Sequence, residues 1–504
     1  MVMRARAICF AVLAVVLVGG PAIDAFAATY FVSPTGNDAN SGGSTDPWRT
    51  LQRAADAMQP GDEVRVADGT YDGFYARRDG TALAPIVFRA DGDNVVINTN
   101  NASTPDVINV EGYDHTEIIG FIVEGGSRAG IRVVEAVGCV VRDCVVGPNQ
   151  KWGIFTAYTP GIQIIDNVCF DSGEQHGIYV SNSRTADDNP VIRGNECFGN
   201  RQNGIQLNGD CYASGDGILS GALIENNVVH DNGWKGFSLI SVRNSIIQNN
   251  IVFDNGAAGA GAGGIHLADE PGCNNPSNDN LVVNNTIVEF VIVCMRLNNN
   301  AAGNTVFNNL AVSRDLSRTI VDEDGGNAID PASNLELTST SGLFADEAAN
   351  DYHLAPASAA ANAGTASYNG RNAPLLDYEG DARPSGTGFD IGADELGGGG
   401  GGTQPPPSST NSTAIIVPDG YWAVHPSRPL QVVNLPTSWT VRIFDTAGRK
   451  VKAYTNTEGD GMDWTWDFSN DHGQRVARAL YLVRISGPDG TVRRTGRFLV
   501  QSDR

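Results

Sequence analysis

Lysine is scarce in this chain. Lys151 and Lys235 are the only two before Lys450, and each adjoins a tryptophan, Trp152 or Trp234. A lysine whose ammonium is disfavoured by its surroundings serves as a general base. Proton abstraction next to a carboxylate, followed by β-elimination, needs such a base and a group that holds the carboxylate, and a bound cation is one such group. Asp210, Asp216, Asp269 and Glu270 are hard oxygen donors of the kind calcium takes. His176 and His266 are further acid/base candidates. Each has a plainer alternative. Arginine-biased composition favours Lys235 as a loop cation lying over Trp234, and His176 as a hydrogen-bonded structural ring. Asp322-Glu323 reads as a solvated run rather than a hydrolase carboxylate pair. Gly256–Gly264 lacks the Lys-Ser/Thr of a phosphate loop, and no Ser-His-Asp arrangement is identifiable.

What must position these residues is a repeat. Short apolar segments end in Asn at 167, 195, 227, 250, 285 and 309, at intervals of 28, 32, 23, 35 and 24 residues. Between them recurs a second segment opening with Gly: Gly130-Ile131, Gly153-Ile154, Gly177-Ile178, Gly204-Ile205, Gly236-Phe237 and Gly264-Ile265. No helical period runs through either. Two or three short strands per unit of roughly 25 residues predict a parallel β-solenoid, each coil stacked on the last at about 4.8 Å. Asn tolerates the left-handed corner, and its amide donates and accepts along a column. The residues three before each Asn (Ile164, Ile192, Ile224, Ile247, Val282, Val306) and two after it (Cys169, Cys197, Val229, Val252, Ile287, Ala311) then point inward.

The same rule places Arg132, Phe155, Tyr179, Gln206, Ser238 and His266 in one outward column. His176 and Lys235 stand just before their glycines, and Asn182, Asn208, Asp210, Asp269 and Glu270 stand at the strand exits. A polar, partly aromatic stripe along a rod suits a polysaccharide, which needs repeated subsites; the alternative is a merely solvated face. Tyr179, Gln206, Asn208, Trp234 and Arg132 are the expected substrate-binding residues.

Of 504 residues, 57 are Asp or Glu against 34 Lys or Arg, a formal net charge of −23, which disfavours nucleic acid as a partner. Residues 1–27 read as a signal peptide, with Arg4 and Arg6, an apolar run Ala7 to Val18, and Ala25-Phe26-Ala27 as the cleavage site. The apolar run is short for a membrane span, so a secreted or cell-surface location is expected. Residues 397–413 are a Gly/Pro/Ser linker between a solenoid domain (28–396) and a small domain (414–504). The small domain holds 12 Lys/Arg against 9 Asp/Glu, so the negative charge sits on the solenoid. Seven cysteines follow the signal segment. Cys169 and Cys197 fill aliphatic positions in neighbouring coils, which favours buried thiols and leaves a bridge between them open; nothing in the spacing points to a Cys211–Cys273 pair.

An amphipathic helix at Leu51, Ala54, Ala55 and Met58 is expected to cover the open end of the solenoid, with Gly61-Asp62-Glu63-Val64-Arg65-Val66 as the first strand. The string Tyr30-Phe31-Val32-Ser33 … Gly36 … Pro47-Trp48 … Leu51 … Pro60-Gly61-Asp62 … Gly69-Thr70-Tyr71, the Asn repeats and Asp390-Ile391-Gly392-Ala393 together resemble secreted bacterial right-handed parallel β-helix proteins, the pectate-lyase-like superfamily. The resemblance implies an all-β fold, a right-handed parallel β-helix. It covers pectate and alginate lyases, epimerases, hydrolases and proteins without known activity. Lys235 with the acidic cluster looks like the calcium-dependent lyases of this fold, although the clustered Asp-Asp signature of one such group is absent. In the small domain, Val441 … Phe444-Asp445 … Gly448-Arg449 … Trp466-Asp467 … Leu480-Tyr481 … Phe498 resembles the immunoglobulin-like C-terminal domain of flagellar hook-capping proteins and sorting modules. That implies a β-sandwich engaged by export or cell-surface machinery, its tryptophans in the core.

Two functions follow as expectations. The first is a calcium-assisted lyase acting on a uronate polysaccharide with Lys235 as base. The second is a non-catalytic glycan-binding or display protein, with a glycoside hydrolase on the same fold as a further alternative.

Overall fold

The structure, a computed structural model, describes residues 27–397 apart from 184–186, 258, 260–262 and 290–291, together with the strands between 415 and 500 and the intervening residues 430, 437–439, 456–457, 466–470 and 474–476. The signal segment and nearly all of the linker lie outside the described residues.

The first solenoid strand is Thr29–Val32, which pairs in parallel with Glu63–Val66; the sheet thus begins one strand earlier than the sequence suggests. Three parallel sheets of 12, 10 and 11 strands then run the length of the domain. A coil passes from a ladder strand such as Gln163–Ile165, through an Asn corner to Val168–Phe170, then to a Gly-opened strand such as Ile178–Ser181, and on to Val191–Arg193 in the next coil. The inward columns are as the period of two requires. Ile164, Ile192, Ile224, Ile247, Val282 and Val306, and Cys169, Cys197, Val229, Val252, Ile287 and Ala311, are all fully buried, each worth up to about 1.5–3 kcal/mol for the larger aliphatics. Cys169 and Cys197 are in register and both are free thiols.

The corner asparagines form one continuous file. Asn167 Nδ2 donates to Asn195 Oδ1 at 3.0 Å, and the relay continues through Asn227, Asn250, Asn285 and Asn309 to Asn334 at 2.9–3.0 Å. Every member from Asn195 onward also accepts the backbone N–H of its predecessor, so the backbone N–H groups of Asn167 through Asn309 in the file are all satisfied. A second file, Asn200–Asn232–Asn255, runs five residues beyond the first and ends on the buried Glu289. It explains two of the opening glycines. A Cβ on Gly177 would stand 2.7 Å from Asn200 Nδ2, and one on Gly204 would stand 2.7 Å from Asn232 Nδ2.

The helix Leu51–Ala57, capped by Thr50 Oγ1 accepting the Arg53 N–H, buries Leu51, Ala54 and Ala55 against the first coil. At the other end, residues 343–396 fold back on the third sheet. Leu343, Phe344, Tyr352, Leu354, Ile391 and Ala393 pack on Ile251, Phe253, Val288, Leu310 and Val312. The motif Asp390–Ala393 is the seam: Asn284 Nδ2 donates to the Asp390 and Gly392 carbonyls, and the buried Arg383 donates to the carbonyls of Gly392 and Asp394. The small domain holds a three-stranded and a five-stranded sheet, mostly antiparallel, around Val441, Ile443, Trp466, Tyr481 and Val483. Trp466 is fully buried and its Nε1–H donates to the Ser469 carbonyl, a core residue.

On the third sheet, His230 is buried in a stack between the rings of Phe198 and Phe253, at 5.1 and 4.6 Å. Burial opposes its charge, but hydrogen bonds to Asp231 (2.9 Å) and Glu196 (3.1 Å) outweigh it and raise the pKa to about 9. With the folded value above the unfolded 6.5, the stabilisation is complete below about pH 6.5 and is lost as pH rises through about 9. Urea denaturation is expected to show a loss of roughly 3 kcal/mol across that interval, and His230→Gln is expected to remove that component of the slope.

Candidate functional site

The outward column of the second sheet is set by register. Tyr75 pairs with Asn109, Asn109 with Arg132, and the file continues through Phe155, Tyr179, Gln206, Ser238 and His266 to Arg296. Six of these residues are legible in sequence. Arg296 is not, because Cys294 stands where the other strands open with Gly.

Both solenoid lysines lie at the leading edge of this column. Lys151 Nζ sits 4.2 Å over the Trp152 ring, and Lys235 Nζ sits 5.8 Å from the ring of Trp234, which is 41% exposed. His176 lies between them. Burial first, then the charges of Lys235 and Lys151, push its pKa down to about 3. Its Nδ1 accepts the Asn203 N–H at 3.2 Å, so the ring is neutral, carries its proton on Nε2, and has no free lone pair. His266 is likewise held neutral, its pKa brought down to about 4 by burial, then by Lys235, with Arg296 adding to the effect. Its Nε2 pairs with Asn298 Oδ1 at 2.8 Å, and Asn298 Nδ2 donates to Glu323 at 3.2 Å. That chain places the imidazole proton on Nε2 and leaves the buried Nδ1 as an unpartnered acceptor. Lys235 itself is drawn below the ordinary lysine range by burial, then by Arg296. Its ammonium forms no ion pair among the described residues, whereas Arg296 is paired with Glu323 at 3.2 Å. Asn203 is the hub that sequence reasoning missed. Besides His176 it holds the Lys235 N–H (3.1 Å) and Gln206 Oε1 (2.6 Å).

The acidic candidates occupy the opposite, trailing edge. One strand, about 13 Å of backbone at 3.3 Å per residue, separates the two edges. Tyr179 spans the middle, its phenol pKa raised by burial, then by Asp210 and Glu270, against hydrogen bonds from Ser181 and Asn208. The loops carrying Asp210 and Asp216, and Asp269 and Glu270, are joined by a disulfide, Cys211–Cys273, with Cα atoms 5.6 Å apart. This pairing has no signature in the spacing; the loops are 62 residues apart and meet because two coils separate them. Each carboxylate braces its own rim. Asp210 accepts the Tyr212 N–H, Asp216 the Ile218 N–H, Asp269 the Asn275 N–H, and Glu270 the Asn208 amide. The four do not converge as a ligand set; among the described residues only His353, Glu379 and Asp394 do so. The residues present therefore do not fit a pre-formed calcium site. Arg132 lies three rungs from Gln206, about 14 Å along the column, and partners Glu111.

Replacing Cys211 with Ser is expected to lower stability by about 2–4 kcal/mol, since the cross-link closes a long loop, while Ellman titration of the unfolded variant gains one thiol.

The aromatic portion of the column is continuous: Trp152 on Phe155 at 4.4 Å, Phe155 on Tyr179 at 5.4 Å, and Tyr179 on His176 at 5.1 Å. Such faces stack on apolar sides of ring ligands. Asp322 accepts the Gly325 N–H and the Asn327 amide, and Glu323 is held by Arg296 and Asn298, so neither is a free carboxylate.

Among solved structures, that of pectate lyase Pel9A matches with a TM-score of 0.52 at 18% identity, over 73% of this chain and 96% of that one. An alginate lyase from Paenibacillus sp. matches at 17% identity over 62% and 99% of the chains (TM-score 0.35). The periplasmic alginate epimerase AlgG matches at 14% identity over 58% and 82% (TM-score 0.34). No curated protein matches significantly by sequence. No helix among the described residues is long and apolar enough to cross a membrane. The family model for the Pel9A-like, right-handed β-helix region matches residues 30–320, from the first solenoid strand to the start of the last strand of the second sheet, and the chain belongs to that family.

Proposed function

We propose that this protein cleaves an acidic polysaccharide by β-elimination, with Lys235 as the base. The observation that carries the reading is the partly buried Lys235 amine, without an ion pair among the described residues and with its charge disfavoured by burial and by Arg296, at the edge of an outward file of polar and aromatic residues. A uronate chain laid along that file brings its carboxylates to Lys151 and Arg296, a cationic strip on an otherwise acidic protein. The neutral amine takes the proton α to the carboxylate. The electron pair forms the ring double bond as the glycosidic C–O bond breaks, and the departing oxygen takes a proton from water. Gln206, Asn208 and Tyr179 donate to sugar hydroxyls, and Trp234 and Phe155 stack on ring faces. His176, its Nδ1 occupied, positions Tyr179 and Asn203. In this reading calcium binds only together with substrate, whose carboxylate supplies donors that the acidic rim lacks. Export through residues 1–27 and a sorting role for the small domain accompany it.

The test is incubation of the mature protein with pectate, alginate and glycosaminoglycans, with and without calcium, following ultraviolet absorbance of the unsaturated product. Absence of product on all of them sinks the lyase reading. Binding without turnover supports the non-catalytic glycan-binding alternative, which the dispersed acidic residues favour. Reducing ends without unsaturation would mean hydrolysis, which the engaged Asp322 and Glu323 do not favour.

A further inference from the structure

The segment 343–396 that closes the solenoid contains a cluster remote in sequence from the groove. His353 lies on the strand Asp351–Leu354, Tyr378 and Glu379 on a turn, and Asp394 just past the Asp390–Ala393 seam. One ligand atom each from His353, Glu379 and Asp394 lie within 4.8 Å of one another. We propose that these three residues bind one divalent transition cation, of the zinc or manganese class, which clamps the three passes of the closing segment together.

The ring orientation is the first support. His353 Nδ1 is engaged by the Asp351 carboxylate, and Nε2 faces Glu379 at 2.9 Å and the Tyr378 hydroxyl at 2.8 Å. A carboxylate on one ring nitrogen, with the other aimed at oxygen donors, is how metal-bound imidazoles are held. Charge is the second. Three carboxylates, those of Asp351, Glu379 and Asp394, face one imidazole, and the neighbouring Arg383 is committed to Glu395 and to backbone carbonyls. Even a protonated ring leaves negative charge unbalanced. Burial is the third. Asp394 is only 6% exposed and its Oδ2 accepts the Leu354 N–H, which fixes the direction of the carboxylate. A carboxylate held this far from solvent gains from a cation that meets it. Glu379 is exposed, which gives an ion a path from solvent. One imidazole nitrogen among carboxylate and phenol oxygens suits zinc or manganese better than calcium, which takes oxygen alone.

The experiment titrates the EDTA-treated full mature chain with zinc chloride and, separately, manganese chloride and calcium chloride, by calorimetry and thermal denaturation. One saturable equivalent of zinc or manganese, with a raised unfolding midpoint, is expected. Glu379→Gln, an exposed change that does not threaten folding, is expected to weaken binding at least about tenfold. Asp351→Asn is expected to weaken it about 10–100-fold. Lys235→Ala and Asp269→Asn are expected to leave it unchanged, which separates this site from the groove. Absence of a saturable equivalent in the parent protein, or equal affinity in Glu379→Gln, overturns the proposal and leaves a protonated imidazole bridging carboxylates.

Discussion

Lys235→Ala is expected to lower kcat for formation of unsaturated product by about 10²–10⁴-fold, the usual worth of a positioned base, with little change in thermal stability. The reason is geometric and electrostatic. Lys235 has no carboxylate partner among the described residues, and its backbone N–H, which Asn203 holds, survives the substitution. Lys235→Arg is expected to be nearly as inactive, because a guanidinium does not give up its proton in this range. The parent protein is expected to gain activity with rising pH along a limb centred below the ordinary lysine value of about 10.4, since burial and Arg296 both disfavour the ammonium. Initial rates on the responsive polysaccharide across pH, with circular dichroism of each variant, check this. An alanine variant retaining full activity would remove Lys235 from the chemistry.

Asn227→Ala is expected to destabilise the solenoid by at least about 3 kcal/mol and to reduce soluble yield. Asn227 Oδ1 accepts both the Asn195 N–H and the Asn195 amide, while its own amide donates to the Ile192 carbonyl and to Asn250. Alanine orphans these buried groups in two coils, at about 1–3 kcal/mol for each unsatisfied one. Asn226, its neighbour, is outside the file and has φ +57, so Asn226→Gly is the control expected to be near neutral. Urea midpoints of the two variants check the contrast, and equal effects would contradict the ladder account.

The disparity between these two predictions follows from what kind of information each rests on. Asn227 is legible because a stacked coil repeats its neighbours' contacts, so one corner residue announces all the others. The second file, five residues on at Asn200, Asn232 and Asn255, escaped because it is short and ends on Glu289 rather than on another asparagine. Arg296 escaped because its strand opens with Cys294, and Asn203 because a hub has no periodic partner.

The parallel solenoid, its inward columns and the outward file from Arg132 to His266 can be read from residue order alone. These depend only on the alternation of side chains along a strand and on the need of every buried corner amide for a partner. Tertiary structure alone decided which candidates face one another. It brought Arg296 beside His266 and Lys235, tied His176 to Asn203, joined Cys211 to Cys273, and gathered His353, Glu379 and Asp394. Those meetings depend on loop paths and on charge and burial summed over several coils, which no local pattern encodes.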